Sequence, residues 1–204
     1  YQFIFNLQST NKALVNSVIL GVISATVVML LTGLLSWVLV RTRSRISRIV
    51  DMAIFIPIAF PGIVLGISLL WVYITLPLGI YGTLWILLIA YLTKFMPQGM
   101  RFSNAAALQI HTELEEAAQV HGASWWQVIR HVTFPLMSPG LLIGWLYVMV
   151  FAFREVPVSI LLVAPKSEVI AVNAFNLWQN GEIGPATAVG VCIVMVLGVI
   201  VSTI

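Results

Sequence analysis

Charge is what this sequence has least of. Only 8% of its 204 residues are charged and 60% are hydrophobic, where an ordinary soluble domain has about a quarter of its residues charged. Too few polar groups remain to cover a water-facing surface, which excludes a soluble globular domain. Cysteine is nearly absent too. Cys192 stands alone, so no disulfide can close within the chain, and its apolar surroundings mark it as a helix-packing residue. No G-x-x-x-x-G-K-[ST] run is present to cradle phosphates, and no H-E-x-x-H or pair of aspartates sits in an apolar segment. The sequence therefore gives no support for nucleotide hydrolysis by this chain or for an intramembrane enzyme. The net charge of +3 comes from scattered residues with no basic face for nucleic acid.

What is there instead is long apolar runs. About 20 apolar residues in a helix cross a bilayer. Backbone groups in lipid must pair internally, so helices or a closed barrel are the only solutions. These runs do not alternate, which excludes the barrel. The fold class is all-α, a polytopic transmembrane helical bundle. Five spans are expected, near residues 13–40, 49–76, 83–100, 140–162 and from 186 onward. Tyr1 is not a start residue and Ile204 falls inside an apolar run, so a piece of a longer membrane protein is expected, with 8–12 as a short exposed polar stretch before the first span.

Arginine placement sets the expected orientation. Arg41, Arg43, Arg45 and Arg48 follow the first span, and Arg101 and Arg130 fall between the third and fourth. The connection between the second and third spans, near 77–82, carries no charge. The arginine-rich connections are therefore cytoplasmic, and RTRSRISR is a topology anchor. The second span contains Pro57, Pro61, Gly62 and Gly66. Proline removes a backbone donor and kinks a helix. Here it marks either a packing kink with close helix approach at the glycines or a helix that lines a solute path.

One stretch, 113–136, is polar in a chain that otherwise is not. It holds Glu113, Glu115, Glu116, His121 and His131 and closes on Pro135. Residues from 108 to about 121 are good helix formers, with Leu108, Leu114 and Ala118 at a spacing that suits packing inward. Gly122 is placed to end that helix and turn the chain. A second short helix is expected over about 124–131, and Pro135 opens the return into the fourth span, where a helix start accepts proline. The histidines at 111, 121 and 131 scatter around a helix, so no metal site is expected.

Glu116-Ala117-Ala118, three residues, Gly122, nine residues and Val132-Thr133-Phe134-Pro135 resemble the EAA loop of ABC importer permeases. Val132 and Phe134 are mild apolar replacements of that pattern's Ile and Leu. The resemblance covers essentially the whole chain and implies a type I importer membrane domain over 1–204, with a cytoplasmic EAA coupling loop over 101–139. It implies that Glu115, Glu116, Ala117, Ala118, Gly122 and Pro135 couple the chain to a partner ATPase subunit, present as a dimer that binds ATP and Mg, so that no cofactor belongs to this chain. It further implies a second permease half or copy, a solute-binding protein, and a multi-pass place in the bacterial inner membrane.

PGIVLGISLLW in the second span and FREVPVSILLV at the end of the fourth are similar to ferric iron permeases, with polyamine, thiamine and phosphonate permeases as relatives. Ferric-type permeases often carry two halves in one chain, and one loop here implies one half. Pro61, Gly62, Arg154 and Glu155 are the candidates for the translocation path or its gate. Arg154 and Glu155 either reach the outer interface or contact the solute or its binding protein. Lys94, flanked by apolar residues, is expected to extend toward the cytoplasmic surface. Residues 167–180 suit a short interfacial helix. A secondary transporter is the competing class. Such a protein more often carries acidic or histidine residues buried in mid-span, and none is clearly placed here.

Overall fold

The computed structural model describes residues 8–42, 44–76 and 79–202. Arg43, Pro77 and the chain ends lie outside them. Every regular element among the described residues is helical. Helix α1 covers Gln8–Thr42, α2 Arg45–Phe55, α3 Gly62–Thr75, α4 Leu84–Leu108, α5 Thr112–Val120 and α6 Trp125–Val128. A π-turn over Ile129–Thr133 leads into α7, Phe134–Phe153. Then come α8, Ser159–Leu162, α9, Ile170–Gln179, and α10, Ile183–Ser202.

Among the described residues, three stretches, Thr10–Thr42, Trp125–Phe153 and Ile183–Ser202, are long and apolar enough to cross a bilayer. The second expected span is not one helix. A 3₁₀ turn at Ile56–Ala59 follows α2, and α3 departs at 104°, so the pair counts as one broken crossing or a re-entrant loop. Pro57 and Pro61 remove two backbone donors within this break. The third, α4, runs eight residues past its expected end, because the three alanines and Leu108 continue a helix readily. Arg101 is thus helical, with its guanidinium over the Phe55 ring at 5.7 Å.

The polar stretch 8–12 also differs from expectation. It is the first turns of α1 rather than a separate segment. The fourth expected span begins earlier and ends sooner. Helix runs unbroken from Trp125 to Phe153, and Arg154 and Glu155 lie in the connection to α8. Pro135 is therefore inside a helix and not at its start. The π-turn before it, closed by the Phe134 N–H on the Ile129 carbonyl, widens the backbone where a proline ring would otherwise crowd the preceding turn. Pro139 frees the Pro135 carbonyl, which accepts instead from the Ser138 hydroxyl at 2.8 Å.

The chain forms two compact units. One combines 25–59 with 95–148. Its helices approach through small residues, as lipid-embedded helices do. A Cβ on Gly99 would lie 2.5 Å from the Val28 side chain. Hydroxyl contacts line the same seam: Thr32 with Ser103 at 2.9 Å and Ser36 donating to Asn104 Oδ1 at 2.6 Å. The other unit combines 1–24, 60–94 and 149–204. In it a Cβ on Gly66 would lie 2.9 Å from Leu161 and 3.3 Å from the Val158 carbonyl, so the close helix approach expected at this glycine is present. Helix α9 is no surface helix over its first turn: Ile170, Ala171, Val172 and Asn173 are buried, and the Ile170 N–H donates to Ser17 Oγ at 2.8 Å.

Candidate functional site

The polar stretch folds into two short helices at a sharp turn. Helix α5 ends in a Schellman arrangement. The Ala123 N–H reaches the Ala118 carbonyl at 3.1 Å and the Gly122 N–H reaches that of Gln119 at 2.9 Å. That geometry needs a left-handed residue, and Gly122 has φ +86°. A Cβ there would touch nothing within 4 Å, so the backbone, not space, requires glycine. Ser124 then caps α6 through a capping box: its N–H donates to Gln127 Oε1 at 2.7 Å, and the Gln127 N–H donates to Ser124 Oγ at 3.4 Å.

Burial within these helices is inverted. Glu115 is the buried residue of α5, 7% exposed, whereas Val120 is 84% exposed and Leu114, Trp125 and Trp126 are exposed as well. The inward packing expected of Leu108 and Leu114 does not occur. The Glu115 carboxylate is the hub of the unit. Its Oε1 accepts from Trp37 Nε1 at 2.9 Å, Thr133 Oγ1 at 2.9 Å and Arg41 Nη2 at 3.1 Å, and its Oε2 accepts from Arg41 Nε at 3.1 Å. Arg41 also donates to the Ile110 carbonyl at 3.0 Å, and the Trp37 and Trp125 rings meet edge to face at 5.4 Å. Burial alone would raise the Glu115 pKa. The hydrogen bonds from Arg41, Trp37 and Thr133, with the charge of Arg41, more than reverse this and hold the carboxyl below its ordinary value. One carboxylate thus ties the end of α1, the start of α5 and the π-turn into a single body.

The other residues of the stretch divide by face. Glu116 and Ala117 are exposed, Ala118 is half-buried, and Gly122 forms the turn. Pro135 follows the π-turn that carries Thr133. Glu115 thus turns inward, while Glu116 and Ala117 face outward. The histidine rings bond their own helices, His121 Nδ1 to the Ala117 carbonyl at 2.7 Å and His131 Nδ1 to that of Gln127 at 3.1 Å. Among the described residues no three His, Cys, Asp or Glu side chains gather as a metal site would require.

The other candidates fall in the second unit. Gly62 opens α3 behind Pro61, and a Cβ on Gly62 would lie 3.0 Å from Lys94 Nζ. Lys94 pairs with Glu155 Oε2. The expectation that Lys94 reaches a surface is overturned, because a buried carboxylate stands within its reach. Gly62 and Glu155 therefore meet at Lys94, a residue not counted among the path candidates in the sequence, and Pro61 immediately precedes Gly62. Arg154 stands apart, exposed, with its guanidinium 5.9 Å from the centre of the Phe151 ring.

Residues 17–204 match the family described as "Binding-protein-dependent transport system inner membrane component". Among curated relatives, the chain is 28% identical over 189 residues to the ferric transport system permease protein FbpB of Actinobacillus pleuropneumoniae, covering 93% of this chain and 28% of that protein. It is 28% identical over 202 residues to the spermidine/putrescine transport system permease protein PotC of Haemophilus influenzae, covering 98% and 78%. It is 27% identical over 154 residues to the putative 2-aminoethylphosphonate transport system permease protein PhnV of Salmonella typhimurium, covering 74% and 57%. The chain thus spans from about a quarter to about three quarters of these relatives' lengths. Among solved structures, it superposes on a bacterial alginate ABC transporter in complex with its alginate-bound periplasmic protein with TM-score 0.79, at 21% identity, over 98% of this chain and 78% of that one. It superposes on the MetNI methionine ABC transporter with TM-score 0.73, at 21% identity, over 97% and 91%. At these identities the superpositions establish the fold, that of a type I ABC importer membrane domain.

Proposed function

The chain belongs to the family of binding-protein-dependent transport system inner membrane components, and we propose that it is the translocation subunit of an ATP-driven importer whose α5–α6 knuckle docks on a partner ATPase subunit. One observation carries this reading. The knuckle turns its single buried carboxylate inward and presents Leu114, Val120, Trp125 and Trp126 outward. Large apolar side chains clustered on an exposed turn are the anatomy of an interface. Glu116, Ala117 and Ala118 belong to the docking surface, Gly122 sets the angle between the helices, and Glu115 and Pro135 hold the knuckle to the helices behind it. The Arg41–Glu115 pair keeps this knuckle with the arginine-rich end of α1, which fits a shared cytoplasmic side.

In this reading the chain hydrolyses nothing. ATP and Mg bind the partner ATPase dimer, and a second permease half or copy completes the passage. A binding protein delivers the solute from the other side. Closure of the ATPase dimer displaces the knuckle as a rigid body and shifts the spans between two arrangements. Ferric iron is the first solute to test. FbpB-type similarity supports it, and the spermidine/putrescine and 2-aminoethylphosphonate relatives make polyamines and phosphonates the alternatives, with thiamine behind them. Pro61, Gly62 and Glu155 are proposed to line the path or its gate, and Arg154 to face the solute or its binding protein.

The test is ATP hydrolysis by the chain assembled with its ATPase and binding protein. Substitution of Glu116→Lys together with Gly122→Pro is expected to abolish solute-dependent hydrolysis. Hydrolysis that survives both changes counts against this reading.

A further inference from the structure

Glu155 is 6% exposed, and its two oxygens are engaged separately. Oε2 accepts from Lys94 of α4, and Oε1 accepts from the Val158 N–H at 3.1 Å. One turn earlier on α4, the hydroxyls of Tyr91 and Ser159 meet at 2.7 Å. Two polar clasps therefore join the same pair of segments, α4 and the connection from α7 into α8. Helix α3 closes the third side. A Cβ on Gly62 would lie 3.0 Å from Lys94 Nζ and 3.2 Å from Pro157, and Gly66 packs on Val158 and Leu161.

An ion pair in apolar surroundings costs several kcal/mol of lost hydration for each partner and persists only while the two charges stay together. Apolar residues of the same volume would hold these segments at least as firmly. The charges are useful where contact must be made and broken between two definite arrangements. This pair sits where movement is built in: α3 begins after a 104° bend, and α7 has ended two residues before Glu155. Interrupted helices are where one half of a span can move without the other.

We propose that Lys94 is a gating residue of the solute path, latched to Glu155 in the conformation described and released when the transporter changes state. The proposal rests on the importer reading and adds to it a residue with a defined role. Lys94 holds the α7–α8 connection against α4 beside the mouth of α3. The lysine is the more open partner, its side chain 26% exposed against 7% for Glu155, so release turns the ammonium toward the passage while Val158 retains the carboxylate.

The test uses the full complex of this chain with its ATPase and binding protein in lipid nanodiscs. Lys94→Cys with Glu155→Cys removes both charges and permits bridging by a short, thiol-cleavable bis-methanethiosulfonate reagent, since cysteines replacing two long side chains stand too far apart for a direct disulfide. Bridging is expected to lower binding-protein-stimulated ATP hydrolysis by about tenfold or more, because a covalent link keeps the latched state from opening, and reduction is expected to restore it. The parent, with Cys192 alone, is expected to be insensitive to the reagent. Separately, Lys94→Met and Glu155→Gln are each expected to raise hydrolysis without binding protein by about fivefold or more, narrowing the ratio of stimulated to basal rate. A purely structural pair would lower complex yield and leave that ratio unchanged. A bridged complex, verified by mass spectrometry, that turns over at the reduced rate overturns the latch, as does failure of the two cysteines to bridge. In those cases the parent's stimulated hydrolysis still supports the importer reading. A parent chain that captures no ATPase brings both down.

Discussion

Glu115 and Arg41 meet through both carboxylate oxygens and two guanidinium nitrogens, each at 3.1 Å, across 74 positions of sequence. The pair fastens the exposed knuckle to the end of α1, and Trp37 and Thr133 complete it. The knuckle is thus joined to α1 through one side chain and to α7 through the turn that carries Thr133.

Removal of that side chain loosens the knuckle. Glu115→Ala removes the acceptor of the Trp37 N–H and the Thr133 hydroxyl and leaves the half-buried Arg41 with the Ile110 carbonyl alone. A cost of about 2 kcal/mol is expected, seen as roughly 30-fold faster amide hydrogen exchange in α5. Thr133→Val, which deletes one donor of the four bonds, is expected to cost about 1 kcal/mol. Unchanged exchange in both variants would mean that the hub does not hold the knuckle.

The hub also fixes a pH dependence. Folding lowers the Glu115 pKa, so its contribution is complete above the unfolded value of about 4.3. It is lost as pH falls from there through the lower folded value. Protection of α5 amides, with the intrinsic pH dependence of exchange divided out, is expected to be level from neutral pH down to about 5 and to fall below about 4. Glu115→Gln is expected to remove that acid limb. A limb that persists in the glutamine variant would assign the effect to another group.

At the turn, Gly122→Ala is expected to cost about 1 kcal/mol through its left-handed backbone alone, with Gly122→Asn costing less. Gly122→Val is expected to weaken capture of the ATPase in a pull-down more than it reduces membrane insertion. Equal loss of both would contradict a role specific to the knuckle.

Local features of this fold could be read from the sequence and distant pairings could not. The apolar runs announced α1 and α10, and Gly122 announced the turn, because each depends on neighbours within a few positions. The capping box of Ser124 and Gln127 was equally local and could have been read from its S-x-x-Q spacing. The α2–α3 bend was visible as prolines but not as 104°, since a proline's position does not specify its angle. Glu115 looked like one glutamate of three because its partners, Trp37, Arg41 and Thr133, lie far away in sequence. Lys94 looked like a lysine bound for the surface for the same reason: Glu155 is 61 positions on, and only the helix end at Phe153 aims it back.

The most direct test of the docking claim places a photo-crosslinking side chain at Val120, which is 84% exposed at the tip of α5, in the transporter assembled in lipid. Irradiation is expected to join this chain to the ATPase subunit, with a yield that changes when ATP is added. Adducts to lipid alone, in a complex that hydrolyses ATP, would contradict it.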